Sequence, residues 1–181
     1  MSLRAAILGF LDLNETSGYL LRKRFEDSVG SFWSVTQSQI YRELHALEAD
    51  GLVASRIEEG DGKPNSKIYG LTKDGRAALA EWLSEPVEPV QLRHPMMLKF
   101  VFASSLPQKE LDAMLAHYAE ALKQQRETYA ARLSARQIFD LARSKREGKM
   151  WRLAVEHGLA WCDAELAWIA KARAALRRDA A

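Results

Sequence analysis

The sequence holds a single cysteine, Cys162, in 181 residues. One thiol closes no intrachain disulfide, and the residues around it lack the spacing of a metal site. Cys162 is therefore expected as a small core residue. Long apolar runs are missing too. The best candidates, 5–11 and 96–105, are stopped by Asp12 and interrupted by Lys99, short of the about 20 residues a bilayer span needs. A transmembrane helix is excluded, no small-residue cleavage pattern follows the first apolar stretch, and a cytoplasmic protein is expected. The four histidines, His45, His94, His117 and His157, show no HExxH or paired-ligand spacing, and GxSxG, Walker A and GxGxxG patterns are all absent. Carboxylates alternate with Lys and Arg at helical spacing, where i,i+4 pairing accounts for them. No catalytic residue, metal site or cofactor is expected, and the chain reads as a non-enzyme.

What is present divides the chain in two. Of ten glycines, eight lie at or before Gly75, and the next is Gly148. The second half is rich in Ala, Leu, Glu, Lys and Arg, the composition of long helices. Pro86 and Pro89 cannot continue a helix. The expected organisation is a first domain over 1–85, a linker over 86–92 and a second domain over 93–181. Residues 1–91 carry 10 basic and 14 acidic side chains, net −4, and residues 92–181 carry 16 and 10, net +6. Counterion release by Lys and Arg supplies most non-specific nucleic-acid affinity, so the first domain has no global charge case for DNA. Local placement has to make it.

In the first domain, Leu3, Ala6, Ile7, Phe10 and Leu11 form the apolar stripe of a short helix. The run Asn14-Glu15-Thr16-Ser17 reads as a turn into a second helix, from 17 or 18 to about 29, with the basic triplet Arg22-Lys23-Arg24. A third helix is the best marked. Thr36-x-x-Gln39 has the form of a capping box, Ile40, Leu44 and Leu47 make one face, and Gly51 stands where a left-handed cap belongs. Two β-compatible stretches, 52–57 and 67–71, flank the turn 60–65 and predict a hairpin with a basic tip. Thr72 then caps a helix over 73–83. The order helix, helix, helix, hairpin, helix is that of a winged helix-turn-helix, so the fold class is mainly α with a two-stranded β wing, followed by long helices.

With Ile40, Leu44 and Leu47 inward, the third helix turns Gln37, Ser38, Tyr41, Arg42 and His45 outward or to its flanks. Gln and Arg suit base edges, and Ser and Tyr suit phosphates. An ordinary solvated face is the plainer reading. The hairpin with Lys63 and Lys67 and the preceding helix with Tyr19, Arg22 and Lys23, which would cross the backbone, favour double-stranded DNA. Thr36 and Gln39, at the helix start, complete the candidate DNA-binding set. Phe32 and Trp33 are expected as core or staple residues.

In the second domain a short helix around 95–104 precedes a long one with Pro107 in its first turn. There Leu111, Leu115, Tyr118, Leu122, Tyr129 and Leu133 follow a heptad-like spacing. The last helix, about 149–176, presents Trp151, Val155, Leu159, Cys162, Leu166 and Ile169. Such seams need a partner helix, expected in a second subunit, with an intrachain hairpin as the alternative.

The segments Gly18-Tyr19, Ser38-Gln39-Ile40-Tyr41-Arg42-Glu43-Leu44, Leu47-Glu48-Ala49-Asp50-Gly51-Leu52-Val53 and Lys67-Ile68-Tyr69-Gly70-Leu71-Thr72-x-x-Gly75 closely resemble the PadR family of transcriptional regulators. The run from Leu92 to Ala103 and the helices after it look like the C-terminal module of the longer PadR subfamily. At Ser66 the chain departs from the family, which often has a basic residue before the wing lysine. The resemblance implies a homodimeric repressor on a palindromic operator, dimerised through the C-terminal helices and released by a small aromatic effector such as a phenolic acid. Arg93, His94, Lys99, Trp151, His157 and Trp161 are the candidate effector residues, expected between the winged domain and the C-terminal helices; the plainer reading makes the tryptophans core. A winged-helix interaction adaptor without DNA, or a repressor responding to cationic drugs, are the alternatives.

Overall fold

The computed structural model describes residues 3–28, 35–59, 65–87, 89, 93–135 and 142–179. Lys63 at the expected wing tip, and Phe32 and Trp33, lie outside the described residues. The chain forms two compact units, Met1–Pro89 and Val90–Ala181.

In the first unit the helices are α1 (Leu3–Leu13), α2 (Gly18–Ser28), α3 (Gln37–Ala49) and α4 (Lys73–Ser84), with strands β1 (Thr16–Ser17), β2 (Val53–Glu58) and β3 (Ser66–Leu71). The sheet is antiparallel in the order β1-β3-β2, with Thr16 opposite Tyr69 and Val53 opposite Leu71. β1 replaces the turn expected at 14–17. Two residues carry no periodicity, so only the pairing with β3, which buries Thr16, makes them a strand. The buried face of α1 also differs from the expected stripe. Ala5, Ile7, Leu8 and Leu11 are buried while Leu3, Ala6 and Phe10 are partly so, because α1 is packed by α3, α4 and β3 together.

The third helix begins as its spacing predicts. Thr36 Oγ1 accepts from the Gln39 N–H at 3.3 Å, and the Gln39 side chain accepts from the Thr36 N–H at 2.8 Å. At its other end Gly51 has φ +73°, the Gly51 N–H donates to the Glu48 carbonyl at 3.1 Å, and Leu52 donates to Leu47 at 3.0 Å. These two bonds are those of a Schellman cap, which satisfies carbonyls the helix leaves open. Ile40, Leu44 and Leu47 are completely buried in the core shared with Ile7, Leu21, Phe25, Tyr69 and Leu79. Thr72 ties the hairpin's end to this cap. Its N–H donates to the Leu52 carbonyl at 3.1 Å, and its Oγ1 accepts from the Gly75 N–H at 3.0 Å to start α4.

The second unit contains α5 (Pro95–Val101), a 3-10 turn at Ala103–Ser105, α6 (Gln108–Ser134) and α7 (Lys145–Asp179). Pro107 stands as the N-cap of α6, one place before the helix rather than inside it. α7 begins at Lys145, ahead of the expected 149, because Ser144 Oγ accepts from the Glu147 N–H at 3.1 Å and caps an earlier turn.

The seams on α6 and α7 find a partner within the chain, the alternative the spacing left open. The pairs Asp112 with Arg173, Tyr118 with Glu165 and Tyr129 with Gly158 run in opposite sequence directions, so the two helices pack as an antiparallel hairpin. Leu111, Leu115, Leu122, Cys162 and Ile169 are buried within the chain, with Tyr118 and Leu166 packed against that cluster. Trp151, Val155 and Leu159 stay half-buried. The large apolar residues left exposed here are Leu98, Val101, Phe102, Leu106, Met150 and Leu153, none of them in the expected seam. Among the described residues no helix is long and apolar enough to cross a membrane, and no cluster of three or more His, Cys, Asp or Glu could hold a metal ion.

Candidate nucleic-acid interface and ligand cleft

The capping box and the buried stripe together set which way α3 faces. Gln37, Ser38, Arg42 and His45 are exposed and Tyr41 is half-buried. Gln37 and Arg42 make no side-chain hydrogen bond among the described residues. Thr36 and Gln39 are exposed but hold each other in the capping box, so their first role is to place the start of α3. The Tyr41 ring lies on the backbone of α2 at Gly18, where a Cβ would come within 2.6 Å of Tyr41 Cε1. A glycine there lets the two helices approach and fixes the tyrosine.

On α2, Tyr19 is 59% exposed and Lys23 is exposed without an ion pair among the described residues. Arg22 is engaged internally, with its guanidinium 2.5 Å from Glu26 and 5.9 Å above the Tyr19 ring. Lys67, the described wing lysine, is also engaged. Its Nζ lies 2.8 Å from Glu48 Oε2 and 5.1 Å over the Tyr69 ring. Hydrogen bonds from Lys67 and Ser55 hold the Glu48 carboxyl below its ordinary pKa. Sequence reading missed Glu48. Its signal was the spacing Gln37, Tyr41, His45, Glu48, which puts a carboxylate on the outward face of α3.

The second unit has an open cleft of about 420 Å³, within the range of small-ligand sites. Arg93, His94, Lys99 and His117 supply its polar wall, and Pro95, Met96, Met114, Tyr118 and Trp161 the rest. All belong to the second unit. Of the expected effector residues, Arg93, His94, Lys99 and Trp161 come together here. Trp151 and His157 do not line this cleft, for Trp151 on simple geometric grounds. Ten residues along α7 separate it from Trp161, about 15 Å at 1.5 Å per residue.

His94 joins three helices at this cleft. It caps α5, its Nδ1 accepting from the Met97 N–H at 3.2 Å, while Nε2 lies 3.2 Å from Glu165 Oε2 on α7. Because Nδ1 accepts, the ring proton sits on Nε2 and is donated to Glu165. Tyr118 of α6 donates to the same oxygen at 3.4 Å. Burial, with Glu165 adding, pushes the Tyr118 phenol up to about 12, so it stays a donor. Tyr118, Met114, Met96 and His117 were not read from the sequence as ligand contacts, since helical spacing alone made Tyr118 a seam residue.

Both units of the chain match known families. The transcriptional regulator PadR-like family matches residues 7–81, and the virulence activator alpha C-terminal family matches residues 92–177. The first unit thus carries the PadR-like match and the second unit the virulence activator match. It is 41% identical over 91 residues to the probable transcriptional regulator Rv1176c of Mycobacterium tuberculosis, covering 50% of this chain and 48% of that protein. It is 38% identical over 110 residues to the negative transcriptional regulator PadR of Bacillus subtilis, covering 60% of each. These alignments span about half to three-fifths of the curated relatives. Bacillus subtilis PadR solved with operator DNA aligns at a TM-score of 0.84 and 28% identity, over 95% of this chain and 97% of that one. The same protein solved with p-coumaric acid aligns at 0.79 and 28%, over 97% and 98%. Both curated relatives are named as transcriptional regulators.

Proposed function

We propose that this PadR-like chain is a homodimeric transcriptional repressor that reads a palindromic operator with α3 and leaves it when a small aromatic acid binds. The observation that carries the DNA reading is the outward face of α3, with Gln37, Arg42 and His45 exposed over a fully buried Ile40, Leu44 and Leu47. Tyr19 and Lys23 on α2 supply backbone contacts. Two such helices related by a two-fold axis engage successive major grooves when about 34 Å apart. The exposed apolar residues of α5 and α7 favour a second copy, since they lie outside the intrachain core.

The cleft favours an acid over a cationic drug. Its polar lining residues are Arg, His and Lys, and its carboxylate neighbour Glu165 is already held by His94 and Tyr118. Trp161 and Tyr118 offer aromatic faces, and an arginine or lysine holds a carboxylate. A ligand that prefers the dimer with the wrong helix spacing weakens operator binding by linkage.

The test is an anisotropy titration against a duplex from upstream of the protein's own gene, beside a scrambled duplex at physiological salt. The expected selectivity is at least about 10³; equal weak binding to the upstream duplex and to fragmented genomic DNA would point to the adaptor instead. For the ligand, calorimetry with p-coumaric acid and its neutral amide should show the acid binding more tightly. Changing Arg93 and Lys99 together to Gln should weaken the acid by about ten- to a hundredfold, since a hydrogen bond to a charged group is worth about 1.5–3 kcal/mol. Unchanged acid affinity in that variant would move the site elsewhere.

A further inference from the structure

Every described cation on the wing strands is already matched by a carboxylate of the same unit. Arg56 on β2 is bonded to Glu15, and Lys67 on β3 to Glu48 of α3. The residue before Lys67 is Ser66, its cross-strand partner is Glu58, and Glu59 follows. The base of the wing therefore carries no surplus positive charge.

Resting on the DNA reading above, we infer that Glu48 sets the level of sequence-independent DNA affinity by withholding Lys67 from the phosphate backbone, so that every duplex is bound without the wing lysine. An exposed ion pair alone would be a weak restraint. This one is braced on both sides. Ser55 Oγ donates to the other Glu48 oxygen, and the Tyr69 ring lies under the ammonium at 5.1 Å. Drawing Lys67 away would also leave the Glu48 carboxylate on the outward face of α3 without its cation, turned toward the phosphates' negative field. Sequence-independent affinity scales with the number of phosphates neutralised, each adding about 0.9 to the slope of log affinity against log salt. A pair that removes one cation from that count lowers affinity for every duplex while leaving the base-reading face of α3 intact.

Glu48→Gln keeps the shape and an acceptor for Ser55 but drops the charge. Anisotropy titrations of the full chain on the scrambled duplex, between 50 and 200 mM salt, should give a slope steeper than wild type by about 0.9. The variant's gain in affinity should then shrink about 3.5-fold across that range. Adding Lys67→Met to Glu48→Gln should return the slope to the wild-type value, an outcome that loss of a merely structural contact would not produce. Glu48→Ala provides the same readout if the glutamine variant folds poorly. Wild-type binding with an unchanged slope in Glu48→Gln and Glu48→Ala overturns the role of Glu48 alone. A wild-type protein that binds no duplex overturns the DNA reading, and this inference with it.

Discussion

Replacing Gly75 by alanine should destabilise the winged unit by about 3–5 kcal/mol, in the range where a single substitution signals a backbone clash or a lost core contact. A Cβ at this position would lie 2.1 Å from the carbonyl oxygen of Leu52 and 2.8 Å from Leu71 Cδ1. The carbonyl cannot turn away cheaply. It accepts from the Thr72 N–H at 3.1 Å and lies 3.0 Å from the Thr72 hydroxyl, which itself caps α4. Relief would therefore open the joint between the α3 cap, the end of β3 and the first turn of α4 together. Gly9→Ala is the contrasting case, because nothing lies within 4 Å of the new methyl in the middle of α1. It should stabilise by about 0.5–1 kcal/mol, as glycine in a helix interior carries an entropic cost. Denaturant titrations of the two variants should move the midpoint in opposite directions. A Gly75→Ala midpoint equal to wild type would mean that the joint yields, contrary to its hydrogen bonding.

The contrast between these glycines shows which parts of the fold sequence reading reaches. Thr36 with Gln39, the stripe Ile40, Leu44 and Leu47, and Gly51 were legible because each signal is local: a cap, a period and a left-handed residue within sixteen positions. β1 was not, since Thr16 becomes a strand only through Tyr69, more than fifty residues away. Gly75 was legible only as part of a family-like segment, and the physical reason for it lies in a carbonyl brought by another element.

The second unit shows the same limit in reverse. A heptad-like stripe states that a helix needs a partner and not where the partner comes from. Leu115 and Leu122 found it in α7 of the same chain. Arg93, His94, Lys99 and Trp161 were legible as cationic and aromatic candidates, while the cleft's Tyr118 and Met114 were hidden in a helical stripe. Glu48 was hidden differently. Its charge reads as solvated on α3, and only the β3 register that sets Lys67 opposite Ile57, beside the end of α3, makes it a partner.

The largest functional effect is expected from Gln37→Ala combined with Arg42→Ala. Both side chains are exposed on α3 and form no side-chain hydrogen bond among the described residues, so their removal should leave the fold's melting temperature within experimental error. A good bidentate contact to a base is worth about 1–3 kcal/mol of discrimination. Loss of two such contacts should weaken operator binding roughly 30-fold to 10⁴-fold. Affinity for the scrambled duplex should fall far less, because only Arg42 carries charge and one phosphate contact at most is lost. The ratio of the two affinities is thus the decisive readout. If α3 reads bases, the ratio falls by about 30-fold or more. If these residues serve only as a solvated or phosphate-binding face, both affinities fall together and the ratio stays as it was, which would place sequence discrimination outside Gln37 and Arg42.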